Sequence, residues 1–347
     1  MTAVLIDPAL LACPDLETLQ GSSQDRLLQY LSRLAELSRL RANCRSFVFW
    51  RSRDLASLLA EANRYPFRHS LANAFNALYT TPSFQLEDIN RLAISLLDRS
   101  LSLEEHGQIE DVLVSECELT EDPMEDRPAQ WKDHLCKLIA LALPTVGTNG
   151  LFSDNTYLGS LATDKNDAII EISCKVDLVQ FRDNTYDDSI KALKAQIYNC
   201  PPASHFLQRI NLVSLFKIGS AVALEDAFII ASAVESEHPW EKVQEIKGKI
   251  SIGRSFIESA RYLGFLNTSQ KISRLIRVCA DLIHERNMAD SHWLREGDGA
   301  NEAQRTRGEW KAWRHDIDYE FHLHYWRTGH RIELANVVTH NDFDIVR

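Results

Sequence analysis

The apolar positions of residues 24–41 recur three and four apart. Leu27, Leu28, Leu31, Leu34 and Leu37 share one face, which predicts an amphipathic helix with Ser22 and Ser23 as caps. The same spacing predicts helices over 52–64, closed by Pro66, over 68–79 and over 86–99. Another opens after Pro128 and stops at Pro144. Between them, 111–119 reads as a short strand. Residues 167–181, rich in β-branched side chains, read as one or two strands. Helices are expected again over 187–198, twice within 203–234, over 240–250 and over 253–266. In 270–285 the pattern is sharp. Ile272, Leu275, Ile276, Cys279 and Ile283 form one stripe, and Arg274, Arg277, Asp281 and His284 form the other.

The period changes to two near the end of the chain. Ile317, Tyr319, Phe321, Leu323 and Tyr325 alternate with Asp316, Asp318, Glu320, His322 and His324. That alternation predicts a strand over 316–326, a turn at Thr328 and Gly329, and a return strand over 330–340. In that register Tyr325 faces Ile332, Leu323 faces Leu334, His324 faces Glu333 and His322 faces Ala335.

These elements imply a mainly α (α+β) fold: a helical amino-terminal bundle, a short central β element, further helices and a carboxyl-terminal antiparallel β-hairpin. The expected divisions are a helical domain over 1–145, a mixed α/β region over 146–250, and a helical region with the hairpin over 251–347. The Gly-, Ser- and Asn-rich stretch 145–165 marks the first boundary.

Charge sharpens this division. The chain of 347 residues carries a formal net charge of −11. All of it lies in 1–250, and 251–347 holds 14 basic and 14 acidic residues. Residues 104–126 contain ten acids and no Lys or Arg. An acidic body repels a phosphate backbone, so any nucleic-acid contact is expected through 290–340. Residues 251–347 also gather His284, His292, His315, His322, His324, His330 and His340 with four of the seven tryptophans. The seven cysteines include no CxxC pair, which suggests buried free thiols and a cytoplasmic protein. No apolar run approaches the roughly 20 residues of a membrane helix, and Asp7 and Pro8 interrupt the first apolar stretch, so neither a membrane partner nor a secretory signal is expected.

The polar side of the terminal hairpin is the candidate chemical site. His322, His324, Glu320, Glu333 and Arg314 combine proton-transfer groups with a phosphate clamp. Asp318, Glu320 and His322 are the candidate metal ligands, and a divalent cation is the one cofactor considered. A solvated polar face is the competing reading. Arg277 and His284, on one helix face, resemble the R-x(4–6)-H pattern of HEPN ribonucleases, with Val278 where a polar residue usually follows the arginine. Asp154 or Asp167 with Glu171 and Lys175 resembles the PD-(D/E)xK nuclease core, with acid and lysine four apart rather than two. Residues 322–338 are similar to the last strands of RelE/ParE-type toxins. No P-loop, GxGxxG, GxSxG or HExxH pattern is present. The expected function is therefore a non-catalytic accessory subunit of a multiprotein complex, of the DNA-processing or antiviral type. The alternative is a nuclease or ribonuclease using the hairpin face.

Overall fold

A computed structural model describes residues 2–13, 23–78, 85–120, 127–142, 156–160, 169–188, 191–199, 203–297 and 302–346. The chain divides into two units, Met1–Arg209 and Ile210–Arg347.

The first unit is built on a sheet. Its elements are β1 (Thr2–Ile6), α1 (Pro8–Leu11), α2 (Ser23–Asn43), β2 (Phe47–Arg51), α3 (Leu55–Glu61), α4 (Arg68–Leu78), α5 (Leu86–Arg99), β3 (Leu101–Ser102), α6 (Leu103–Gly107), β4 (Ile109–Thr120), α7 (Ala129–Ala142), β5 (Thr156–Gly159), β6 (Ile169–Phe181), β7 (Tyr186–Asp187), β8 (Lys191–Asn199) and α8 (Ala203–Arg209). The strand order is β3-β2-β1-β5-β8-β6-β4, with β7 on β6. Strands β3, β2, β1, β5 and β8 pair in parallel, and β8, β6 and β4 pair antiparallel.

Every residue of β1 is buried, as a parallel strand covered on both faces requires. Helices α2 and α5 pack against β2. Helix α7 closes a core with Leu5, Trp50, Ile170, Ile172 and Ile197 through Leu135, Leu138 and Ile139. Cys117 on β4 and Cys136 on α7 form a disulfide, while Cys13, Cys44, Cys174 and Cys279 are buried and lie outside it. The expectation of unbonded thiols throughout is thus corrected at one pair.

The second unit contains α9 (Leu212–Lys217), α10 (Ala221–Ala233), α11 (Pro239–Ile246), β9 (Ile250–Ile252), α12 (Phe256–Tyr262), α13 (Ser269–Ile283), β10 (Ser291–Trp293), β11 (Thr306–Arg307), β12 (Trp310–Asp316), β13 (Phe321–Thr328) and β14 (Arg331–Thr339). Its sheet order is β10-β12-β13-β14-β9, with β11 on β12. Helix α10 is mostly apolar, with Glu225 and Asp226 its charged residues, and packs with α9, α11 and α13. Phe216, Phe228 and Phe256 meet edge to face in that core.

The mainly α expectation fails, because both units are α/β and each is organised by a multi-strand sheet. Three misread segments account for it. TAVLI and FVFWR are short apolar runs whose length hides their period, and both are central parallel strands. KALKAQIYN carries good helix formers, but it pairs with β6 from Lys191 to Tyr198. Tertiary pairing overrides local propensity there. Residues 156–160 of the expected boundary loop include β5, and the rest of 145–165 lies outside the described residues.

The terminal hairpin is also corrected. Residues 317–320 form a turn between β12 and β13, so Asp318, Tyr319 and Glu320 lie off the strands. The β13–β14 turn is Gly329–His330, with Gly329 at φ 53°. Tyr325 therefore faces Leu334, and Arg327 faces Ile332. A bulge between His324 and Tyr325 then shifts the register again, setting His324 opposite Asn336 and His322 opposite Val338.

Candidate functional site

Cross-strand pairing places Ala312, Arg314 and Asp316 of β12 beside Trp326, His324 and His322 of β13. Across β14 the neighbours on that face are Glu333, Asn336 and Val338. An uncovered polar face would leave these residues wet. Instead, His322 and His324 are 1% and 0% exposed. The cover is the chain's own end.

Residues 340–346 run back over this face as a strap held by side-chain contacts to its main chain. Arg305 Nη1 donates to the Phe343 carbonyl at 2.9 Å. Asn336 Nδ2 donates to the Asp344 carbonyl at 2.9 Å, and His324 Nδ1 lies 3.2 Å from the same oxygen. Trp326 Nε1 donates to the Val346 carbonyl at 2.9 Å, and the Val346 amide donates to Asn336 Oδ1 at 3.4 Å. Strap side chains add to this. Arg314 lies over the Phe343 ring, Arg305 Nη1 is 3.9 Å from Asp344 Oδ1, and Ile345 packs on the cluster of Leu294, Ala312, Trp326 and Ala335.

Beside the strap, Arg307 stacks over both Trp310 and Trp326 while gripping Glu333 with two hydrogen bonds of 3.0 and 2.8 Å. Arg331 also lies over Trp310. Glu333 thus serves an arginine, not His324.

The histidines sit in a dry environment. Burial depresses the pKa of His324 to about 4, against the pull of the Asp344 carbonyl and of Asp342. Burial also lowers that of His322, opposed by Asp316. His322 Nδ1 is 2.8 Å from Asp316 Oδ1 but off the line a hydrogen bond needs. Both atoms, with His322 Nε2 and His324 Nε2, lack a hydrogen-bond partner among the described residues. The exposed His340 ring is 4.7 Å from that of His322.

The candidate metal ligands are not brought together. Asp318 pairs with Arg274 of α13 and accepts from the amides of Glu320 and Phe321, which caps the turn. Glu320 is exposed in that turn, and His322 faces Asp316. Among the described residues, no three His, Cys, Asp or Glu side chains are grouped to hold a metal ion.

Of the resembling motifs, His284 Nε2 is 2.7 Å from the Ser232 carbonyl at the end of α13, and Arg277 is exposed. Lys175 on β6 pairs with Glu116, Glu171 accepts from Gln196, and Asp154 and Asp167 lie outside the described residues.

The sequence reading missed a second polar concentration, at the carboxyl ends of the parallel strands. Strands β2 and β3 lie on one side of β1 and β5 on the other, the switch point where open α/β sheets bind ligands. Asp7, just past β1, is wholly buried. Arg127 grips it with bonds of 2.7 and 2.8 Å, Ser160 donates to it, and it accepts from the Ala9 amide as the cap of α1. Burial opposes its charge, yet Arg127 and these donors hold its pKa below the usual carboxylate value. At the ends of β2 and β3, Glu104 accepts from the Arg53 amide and from Ser102 Oγ, each at 2.9 Å. His134 of α7 is buried nearby. Burial depresses its pKa against the charges of Glu104, Asp54 and Asp7, and its Nε2 has no partner among the described residues. The LIDP junction at residues 5–8, an acid after an apolar run and before a proline, was the available signal.

No helix among the described residues is long and apolar enough to cross a membrane. No family model, curated protein or solved structure matches the chain.

Proposed function

We propose that this chain is a non-catalytic interaction subunit of a multiprotein complex, docking through the carboxyl-terminal sheet. The supporting observation is the way Arg305, Trp326 and Asn336 hydrogen-bond main-chain atoms of residues 343–346. Side chains that bond to a main chain suit the capture of an extended polypeptide. The candidate proton-transfer groups suit catalysis less well. His322 is buried and burial disfavours its charged form, while its partner Asp316 is partly exposed, so the imidazole does not meet solvent as a general acid must.

One observation favours the nuclease alternative. Arg314 lies opposite His324 on the face that carries the His322–Asp316 pair, the pieces of a phosphate clamp and a proton relay. Cleavage assays on labelled single-stranded RNA, single-stranded DNA and duplex DNA, with and without Mn²⁺ or Zn²⁺, decide between them. The subunit reading expects no cleavage above buffer. Cleavage abolished by His322→Ala/His324→Ala would replace it with the nuclease. A cytoplasmic site and a complex acting on nucleic acid remain parts of this proposal, resting on the sequence alone.

A further inference from the structure

Resting on the docking role proposed above, we infer that residues 342–346 are an exchangeable, self-inhibiting occupant of a peptide site, and that the partner supplies an extended segment of the same chemistry. That chemistry is an aromatic residue, an acid and an aliphatic residue in succession.

The sheet side of this site is finished, and the strap side is not. Asn336, His324 and Trp326 are buried, and each directs a polar atom at the strap's carbonyls. A site with buried donors needs an acceptor in place, because an unpaired buried donor is costly. The strap itself is exposed from His340 to Asp344 and again at Val346, and Ile345 alone is partly covered. It belongs to no strand, so no ladder of backbone bonds ties it down. An element with few buried contacts and solvent on one side opens at low free energy.

Three strap side chains give the site its selectivity. The Phe343 ring lies under Arg314, with 5.1 Å from guanidinium to centroid. Asp344 faces Arg305. Ile345 meets the Trp326 cluster. Phe343 and Ile345 are two apart, as in a segment with an extended backbone. The remaining contacts go to main-chain carbonyls and to the Val346 amide, which any chain of this spacing provides. Tethering gives the strap an effective concentration of roughly millimolar order, so a free peptide competes poorly until the strap is loosened.

The test uses a fluorescently labelled peptide, Asn-Asp-Phe-Asp-Ile-Val, and fluorescence anisotropy. Three proteins are compared: the full chain, a chain ending at Asn341, and the full chain carrying Phe343→Ala/Ile345→Ala. The last keeps every sheet residue, so it serves if the shortened chain fails to fold. Binding at least about tenfold tighter to either altered chain than to the full chain is expected. The control peptide Asn-Asp-Ala-Asp-Ala-Val is expected to lose that gain. Equal binding to all three proteins, or no binding to an altered chain with an intact circular dichroism spectrum, overturns the inference. Single-stranded RNA binding to the opened face in place of the peptide overturns it as well. A chain that cleaves nucleic acid but exchanges its strap keeps this inference and loses the subunit reading. A chain that does neither loses the strap alone.

Discussion

At the scale of single residues, two buried ionisable groups make opposite demands. His324 is held neutral by burial, with a pKa of about 4. Its ordinary value is near 6.5, so the unfolded chain takes up a proton that the folded chain refuses. Its contribution therefore falls away as pH drops from about 6.5 to about 4, by at most about 3 kcal/mol. Denaturant unfolding from pH 7 to pH 4 is expected to show a smaller loss of stability for His324→Asn than for the unaltered chain. An equal loss would place the titrating group elsewhere.

Asp7 makes the opposite case. It is charged, buried and accepts several hydrogen bonds, and its removal takes the two carboxylate bonds from the buried Arg127 guanidinium. Asp7→Asn is expected to cost about 3 kcal/mol, read as a lowered urea midpoint, because breaking one side of a buried pair leaves a poorly compensated charge. A midpoint within error of the parent would mean that solvent reaches Arg127. The sequence displayed His324 clearly and gave it the wrong surroundings. Alternation put His322 and His324 on one face, but it also placed there Asp318 and Glu320, which lie in the turn, and only the returning strap decides whether that face is wet or dry.

At the scale of elements, amphipathic pattern served where one face of a helix meets solvent. The helix expected over 86–99 is α5, Leu86–Arg99, and that over 24–41 lies within α2. The strands expected over 111–119 and 167–181 are β4 and β6. Pattern failed for β1 and β2 because strands covered on both faces show no alternation to read. It failed for β8 because Lys191, Ala192, Leu193, Lys194, Ala195 and Gln196 favour helix locally, and pairing with β6 overrides that preference. The hairpin register failed for a different reason. Turn residues alone do not choose between Thr328–Gly329 and Gly329–His330, and no apolar pattern announces the bulge at His324.

Gly253 follows β9 and approaches β14 too closely for a side chain. A Cβ there would sit 2.5 Å from the Leu334 carbonyl oxygen, which already accepts from the Gly253 amide at 2.8 Å. Gly253→Ala is expected to cost roughly 2 kcal/mol or more by forcing the β9–β14 pair apart. Hydrogen exchange would show this as faster exchange in β9 and β14. Unchanged protection of both strands would mean that the backbone shifts freely there.

At the scale of the whole molecule, the chain joins two α/β units whose notable polar sites differ in kind. The amino-terminal one is a locked set of caps and ion pairs at a switch point, with His134 the exception. The carboxyl-terminal one is a sheet face whose donors are met by the chain's own end. Composition had assigned the carboxyl-terminal part its histidines, arginines and tryptophans correctly. It could not tell that Arg307, Trp310, Trp326 and Arg331 mostly stack on each other, or that the strap lies across their neighbours. The interaction role proposed here depends on that strap being seated and removable.

The Trp326 indole proton tests this most directly, because its acceptor is the Val346 carbonyl. Nitrogen-15 labelling of tryptophan gives one indole signal for each of seven residues. The account predicts that the Trp326 signal, assigned by Trp326→Phe, exchanges slowly with solvent in the full chain. In the chain ending at Asn341 it is expected to shift and exchange quickly, while the signal of Trp50 in the other unit stays in place. A Trp326 signal with the same position and exchange rate in both chains would contradict the account, since the strap would then not be seated on the sheet.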